Sequence, residues 1–238
     1  MLLEVPIDGA LVGCTTRVGG RSQGVYAKNN LALHVGDDSS DVQANRDALQ
    51  QHIGAQRIQW LDQVHSCDCI QSTFSTVPST PQADAMWTDA PGLALAILTA
   101  DCLPILLWAP EHSVVAAIHA GWRGLRDGVI ETLVSSLPVS AGSLHAWIGP
   151  CISQSRYEVG EEVWCQFVGR DPGVLRPVSG QVDKRLMNLS LIAAHRMTAL
   201  GLTHIRQSGF CTHADARFYS YRRDGVTGRI ASVIMRRS

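Results

Sequence analysis

The chain has 238 residues, 45% of them apolar, and a formal net charge of −1, which is enough sequence to bury one substantial core. A charge so close to zero argues against broad electrostatic capture of nucleic acid or of an anionic membrane surface. The longest apolar run, residues 92–108, is interrupted by Asp101 and Pro104, so no membrane span is expected. The start of the chain carries Glu4 and no basic cluster, so no secretory signal is expected. Seven cysteines, an odd number without regular spacing, point to a reducing cytoplasm and not to a disulfide framework.

In chain order, the spacing of apolar residues predicts a helix over residues 40–53 (SDVQANRDALQQHI), with Ser40 or Asp41 as its N-cap. Strands are predicted over IQWLDQV (58–64) and CDCIQST (67–73), and a loop over residues 73–85. Three continuous apolar runs then follow, LALAILTA, LPILLWA and SVVAAIHA, a pattern expected of strands buried on both faces. A Gly-rich turn leads to a helix over residues 124–137, then come a strand over 144–150 and a helix over 160–170. The last predicted helix covers residues 186–201 and ends at Gly201, a natural C′ residue. A strand over 204–210 precedes residues 217–235, which read as a hairpin with Asp-Gly and Thr-Gly as turn residues. No repeat or linker divides the chain. The expected fold is a single α+β (mixed α/β) domain over residues 1–238, with packed central β-sheets flanked by helices.

Three motifs each bring one metal-ligating residue type to the end of an apolar stretch: His65 in WLDQVHS, Cys102 in LTADCLP and His119 in AAIHAGWRG. One thiolate and two imidazoles suit zinc with a fourth position left open for chemistry, provided the fold brings the three together. Taken alone, Cys102 is readable as a ligand, a nucleophile or a buried small hydrophobe, and for an isolated cysteine the buried reading comes first. Gly121 and Gly124 permit a tight turn after His119, where a helix start can hold an anion. Cys67 and Cys69 form a C-x-C that would place both thiols on one side of a strand. Arginine far outnumbers lysine, which is represented only by Lys28 and Lys184, and guanidinium groups suit bidentate phosphate binding.

The segments TTRVGG, NLALHVGDD, VQANR, QVHS, TADCLPILL, HAGWRG, GPCIS…YEVG and FYSYRRDGVTGRIAS occur here in the order seen in the laccase-domain family. The chain resembles that family from residue 14 to residue 234. Its members are described as purine nucleoside phosphorylases, and some as peptidoglycan editing factors. The resemblance implies zinc on His65, Cys102 and His119. It also implies a pocket formed with Arg17, Asn30, His34 and Arg46, and anion-binding roles for Arg123, Arg222 and Arg223. Two positions depart from the family pattern: Ser66 stands where glycine is frequent, and Asn188 where aspartate is.

The function implied is phosphorolysis of adenosine, inosine and methylthioadenosine, with deamination of adenosine, by a cytoplasmic enzyme whose partners are a nucleoside and phosphate. Zinc suits deamination because it lowers the pKa of water, and Asp101, next to Cys102, is the candidate proton carrier. Phosphorolysis rests instead on positioning and charge stabilisation. One alternative is a laccase-like copper oxidase of phenols. A multicopper site needs H-x-H pairs, and none of the nine histidines forms one, although a His₂Cys set can bind copper. A second alternative is a cysteine hydrolase that edits peptidoglycan precursors, with Cys102 as nucleophile and His119 as base. A metal-binding scaffold without turnover is the non-enzymatic reading.

Overall fold

Each long apolar strand has two buried faces because it sits in the middle of four layers. The computed structural model describes residues 2–7, 9–77 and 79–237. The chain runs through Leu2–Val5 (β1), Ala10–Thr15 (β2), Ser39–Ile53 (α1), Arg57–Gln59 (β3), Cys69–Gln71 (β4), Ala85–Thr88 (β5), Leu93–Thr99 (β6), Leu103–Trp108 (β7) and Val115–Ala120 (β8). It continues through Trp122–Asp127 (α2), Val129–Ser136 (α3), His145–Ile148 (β9), Glu158–Val159 (β10), Glu161–Trp164 (α4), Leu175–Val178 (β11) and Gln181–Met187 (β12). The final elements are Leu189–Ala199 (α5), His204–Gln207 (β13), Tyr221–Asp224 (α6) and Ile230–Arg236 (β14).

Two large sheets carry the fold. One has the order β1-β2-β14-β6-β3, the other β13-β9-β7-β8-β5-β4, and a small third sheet joins β10, β12 and β11. Side chains alternate along a strand, so each central strand contributes to two cores. On β6, Leu95 and Ile97 meet Met86, Leu106 and Trp108 of the other sheet. The intervening Ala94, Ala96 and Leu98 pack beneath Leu49 and Ile53 of α1. On β7 and β8, Ile105, Leu107, Ala116 and Ile118 face outward to Leu125, Ile130, Leu133 and Ile192 on α2, α3 and α5. The order of layers is therefore helix, sheet, sheet, helix. Among the described residues no helix is long and apolar enough to cross a membrane.

Several predicted elements are corrected by the structure. Residues 217–235 do not form a hairpin. The Ser220 side chain accepts from the Arg223 amide and starts the short helix α6, which ends at Gly225 at φ +67, so that only β14 is strand. The helix predicted over 124–137 begins earlier, at Trp122, and is split at Gly128 at φ +93. The N-cap of α1 is Asp38, whose carboxylate accepts from the amides of Ser40 and Asp41. Only residues 161–164 of the helix predicted over 160–170 are α-helical. Cys67 lies outside β4, so it shares no strand face with Cys69. Gly201 does follow α5, at φ +101, after Leu200.

Candidate metal centre and its cavity

The three candidate ligand residues converge where both large sheets end. His119 lies at the end of β8, Cys102 just before β7, and His65 in the loop between β3 and β4. Their ligand atoms all lie within 4.8 Å of one another. The Cys102 Sγ is 3.8 Å from His65 Nε2, and the two imidazoles meet edge-on with centroids 4.8 Å apart. A tetrahedral zinc ion would hold a sulfur and a nitrogen about 3.6 Å apart. The donor set and its spacing therefore fit such an ion.

Two of these candidate ligands depend on one carboxylate that no sequence motif singles out. Asp84 is fully buried. Its Oδ1 lies 2.7 Å from His119 Nδ1, which leaves Nε2 as the free nitrogen for a metal. Its Oδ2 accepts from the amides of Ser66, at 2.6 Å, and Val64, at 3.2 Å, and from the Ser66 hydroxyl at 3.1 Å. These bonds hold the loop on both sides of His65, which sits in the left-handed region at φ +61. The Gln63 side chain fixes the same loop by exchanging two bonds of 2.8 Å with the Leu98 backbone. Room for the His65 ring comes from Gly121, where a Cβ would stand 2.7 Å from His65 Cδ2.

Electrostatics favour the ligand form of Cys102 and the protonated form of His119. Burial pushes the Cys102 thiol up, but hydrogen bonds and positive charge from His119 and His65 outweigh it and bring it down to about 6. Burial disfavours the His119 imidazolium, yet hydrogen bonds to Asp84 and Cys102 lift it to about 9. Before metal enters, the pair is thus a thiolate beside an imidazolium.

The centre opens onto a cavity of about 410 Å³, which also exposes His34, Trp122, Arg123, Tyr157, Arg222 and Arg229. Of the residues proposed from the sequence, His65, Cys102, His119, Asp101, His34, Arg123 and Arg222 line it. Arg17, Asn30, Arg46 and Arg223 are not in its lining, and each donates to at least one backbone carbonyl instead. Arg17 donates twice to the Ala27 carbonyl and stacks over Tyr219. Arg46 donates to the Leu31 carbonyl and lies over Trp60. Asn30 is fully buried and bonds Asp37 and both backbone groups of Ala32. These three brace the loop that carries His34. Arg223 holds the carbonyls of Thr212, His213 and Phe218. Asp101, at φ +92, accepts from Thr212 Oγ1, Ser220 Oγ and the Arg222 amide, so both of its oxygens are committed to holding residues 212–222 beside Cys102. Asn188, at the departure from the family pattern, caps α5 by accepting from the Leu191 amide.

Sequence reasoning missed Asp84, Arg229, Trp122 and Tyr157. Trp122, Tyr157 and Arg229 stand inside the motifs HAGWRG, YEVG and FYSYRRDGVTGRIAS, whereas Asp84 stands in none.

The fold and site together define a four-layer α/β protein with a His₂Cys group able to hold a metal at the floor of a small-molecule cavity. Residues 11–237 match the family described as multi-copper polyphenol oxidoreductase laccase, and the chain belongs to that family. A relative from Pseudomonas aeruginosa, named purine nucleoside phosphorylase, is 42% identical over 223 residues, covering 92% of this chain and 90% of its own. One from Escherichia coli K12, named purine nucleoside phosphorylase YfiH, is 37% identical, with 95% and 93% covered. Among solved structures, a Neisseria meningitidis protein of the DUF152 family superposes with a TM-score of 0.94 at 34% identity, over 100% of this chain and 99% of that one. YlmD from Geobacillus stearothermophilus gives a TM-score of 0.92 at 32% identity, with 97% and 93% covered.

Proposed function

We propose that this protein is a zinc-dependent purine nucleoside phosphorylase that accepts adenosine, inosine and methylthioadenosine, and that it also deaminates adenosine. The observation that carries the reading is the His65–Cys102–His119 group opening onto a cavity with aromatic faces and three arginines. The names of the similar proteins support it. His65, Cys102 and His119 hold the metal, which supplies Lewis acidity, the property a purine deamination needs. Trp122 and Tyr157 offer faces for a purine ring, and the cationic side chains draw phosphate toward the ribose. Asp101 acts by positioning, through its bonds to Thr212, Ser220 and the Arg222 amide. Copper is the competing metal for this donor set. Seven free cysteines suit the cytoplasm.

Incubating metal-quantified protein with adenosine, with and without phosphate, tests the reading. Adenine and ribose 1-phosphate that form only with phosphate, and are lost in His119→Ala, are the expected result. Inosine formed in both conditions would register the deamination. No turnover at full zinc occupancy would reject the nucleoside substrate.

One observation favours a second reading. Cys102, His119 and Asp84 stand in the order nucleophile, base and orienting carboxylate, as in a cysteine hydrolase acting on wall precursors. That enzyme would be killed by alkylation of Cys102 and indifferent to chelators. The zinc enzyme would lose activity to chelators and keep Cys102 shielded while the metal is bound.

A further inference from the structure

The cavity holds a cation that its own carboxylates do not neutralise. Ile230, the first residue of β14, pairs with Thr99 of β6, so Arg229 comes beside the turn that leads through Asp101 to Cys102. The same residue is stitched to the His34 loop. Its amide donates to Asn30 Oδ1 at 2.9 Å, and its carbonyl accepts from the Leu31 amide at 3.3 Å. Its half-buried guanidinium donates through Nη1 to the carbonyls of Thr227, at 2.8 Å, and Gly228, at 3.0 Å. No carboxylate among the described residues lies within ion-pair distance of it.

The other charged groups of the cavity are placed differently. Arg123 is exposed and stacks on Trp122 at 4.4 Å. Arg222 is exposed and has its Nη1 on the Glu158 carbonyl at 2.8 Å. Asp101 lines the cavity, but its oxygens are taken by Thr212, Ser220 and the Arg222 amide. A desolvated guanidinium without a counter-ion is costly, and an oxyanion with paired acceptors compensates it through a bidentate, charge-assisted contact. Burial draws Arg229 below its usual range, while Cys102 and Asp101 oppose that shift. Burial, and then the charge of Arg229, push His34 down, keeping its imidazole neutral beside the guanidinium.

We propose that Arg229, with His34, forms the oxyanion subsite of this cavity and binds inorganic phosphate as the attacking co-substrate, an assignment that rests on the phosphorylase reading above. In the reaction, an oxygen of hydrogen phosphate forms the bond to C1′ of the nucleoside. The C1′–N9 bond breaks, its electron pair leaves on the purine, and the phosphate's proton ends on the purine. The two negative charges stay on the phosphoryl oxygens throughout, where Arg229 donates to them, and they remain on ribose 1-phosphate.

The test combines thermal melting of the zinc-loaded protein in inorganic phosphate with steady-state phosphorolysis of inosine, for wild type, Arg229→Gln and Arg229→Lys. Phosphate is expected to raise the melting temperature of wild type and not of Arg229→Gln. The phosphate KM is expected to rise about 10- to 100-fold in Arg229→Gln, as for a lost hydrogen bond to a charged group. Arg229→Lys, which keeps the charge without the fork, should shift it less. The inosine KM and the zinc content should stay within about threefold. If Arg229→Gln does not fold, the lysine variant carries the same test, and an unchanged phosphate KM there overturns the proposal. A phosphate KM and a phosphate-induced stabilisation that survive in Arg229→Gln also overturn it, with the phosphorylase reading intact. Conversely, phosphate stabilisation that depends on Arg229 without any nucleoside cleavage would keep the anion site and reject the phosphorylase.

Discussion

Replacing Asp84 with asparagine isolates the contribution of the buried carboxylate, because size and burial are retained while one acceptor becomes a donor. Asp84 must serve two sides at once, the His119 Nδ1 through one oxygen and the Val64 and Ser66 amides through the other. Asparagine cannot satisfy both. If its oxygen faces His119, its NH₂ group confronts two backbone N–H donors, and the loop of His65 is released. If its oxygen faces the loop, its NH₂ donates to Nδ1 and drives the proton of His119 onto Nε2, the nitrogen needed by the metal. Losing a hydrogen bond to a charged group costs about 1.5–3 kcal/mol. Losing a carboxylate behind a histidine ligand weakens metal affinity about 10- to 100-fold, which is about 1.4–2.8 kcal/mol. The two figures agree, so zinc affinity should fall about 10- to 100-fold in Asp84→Asn. Competition against a chromogenic chelator measures it, and nitrogen NMR of His119 reports where its proton sits. A folded variant that binds zinc within about threefold of wild type would refute the reasoning.

Three further outcomes follow from the same geometry. Gly121 has φ −68, a conformation any residue adopts, so Gly121→Ala should fold and yet press its Cβ into His65 Cδ2. We expect at least about a tenfold loss of zinc affinity from that overpacking, and full affinity in metal titration would contradict it. Zinc needs the Cys102 thiolate and an unprotonated His119 Nε2. With Cys102 at about 6 and His119 at about 9, this pair should release about one proton per zinc at pH 7.5 and approach two below about pH 6. Zinc affinity therefore rises with pH across that window. Calorimetry in buffers of different ionisation enthalpy counts the protons, and a release near zero at pH 7.5 would exclude the thiolate–imidazolium pair. In the core between the sheets, Leu106 is fully buried, so Leu106→Ala should cost about 2–5 kcal/mol. Val182→Ala, on a side chain that is 89% exposed, should stay within about 0.5 kcal/mol, and equal urea midpoints for the two would count against the layered core.

The convergence of His65, Cys102 and His119 was legible because candidate ligand chemistry is carried by residue type: few cysteines and histidines stand at the ends of apolar runs, and these three do. Their supports were not. Asp84 stands in QADAM with nothing in its neighbours to distinguish it from a surface aspartate, and only β-pairing between β5 and β8 brings it to His119. Arg229 stands near the conspicuous Arg222 and Arg223, yet Arg222 and Arg229 line the cavity and Arg223 does not, a difference that spacing alone does not disclose. The central strands β6, β7 and β8 were readable from unbroken apolar runs. The exposed strand β12, QVDKRLM, was not, since its burial is confined to its last residues. The hairpin expectation failed because Ser220, Arg223 and Gly225 satisfy the backbone locally before it can pair with a second strand.

The insertion of β14 between β2 and β6 has a consequence for how the protein is made. Both neighbours of β14 are synthesised more than a hundred residues before it. Until residues 230–236 leave the ribosome, β2 has only β1 as a partner and β6 only β3, and each leaves one apolar edge open, the kind of surface on which nascent chains aggregate. The three ligands are all translated by residue 119, yet the sheet beneath Cys102, and the 212–222 segment held by Asp101, wait for the distal part of the chain. Metal capture should therefore be a late event that waits for residues 230–236, and nascent chains halted before residue 230 should need chaperone protection and bind zinc poorly.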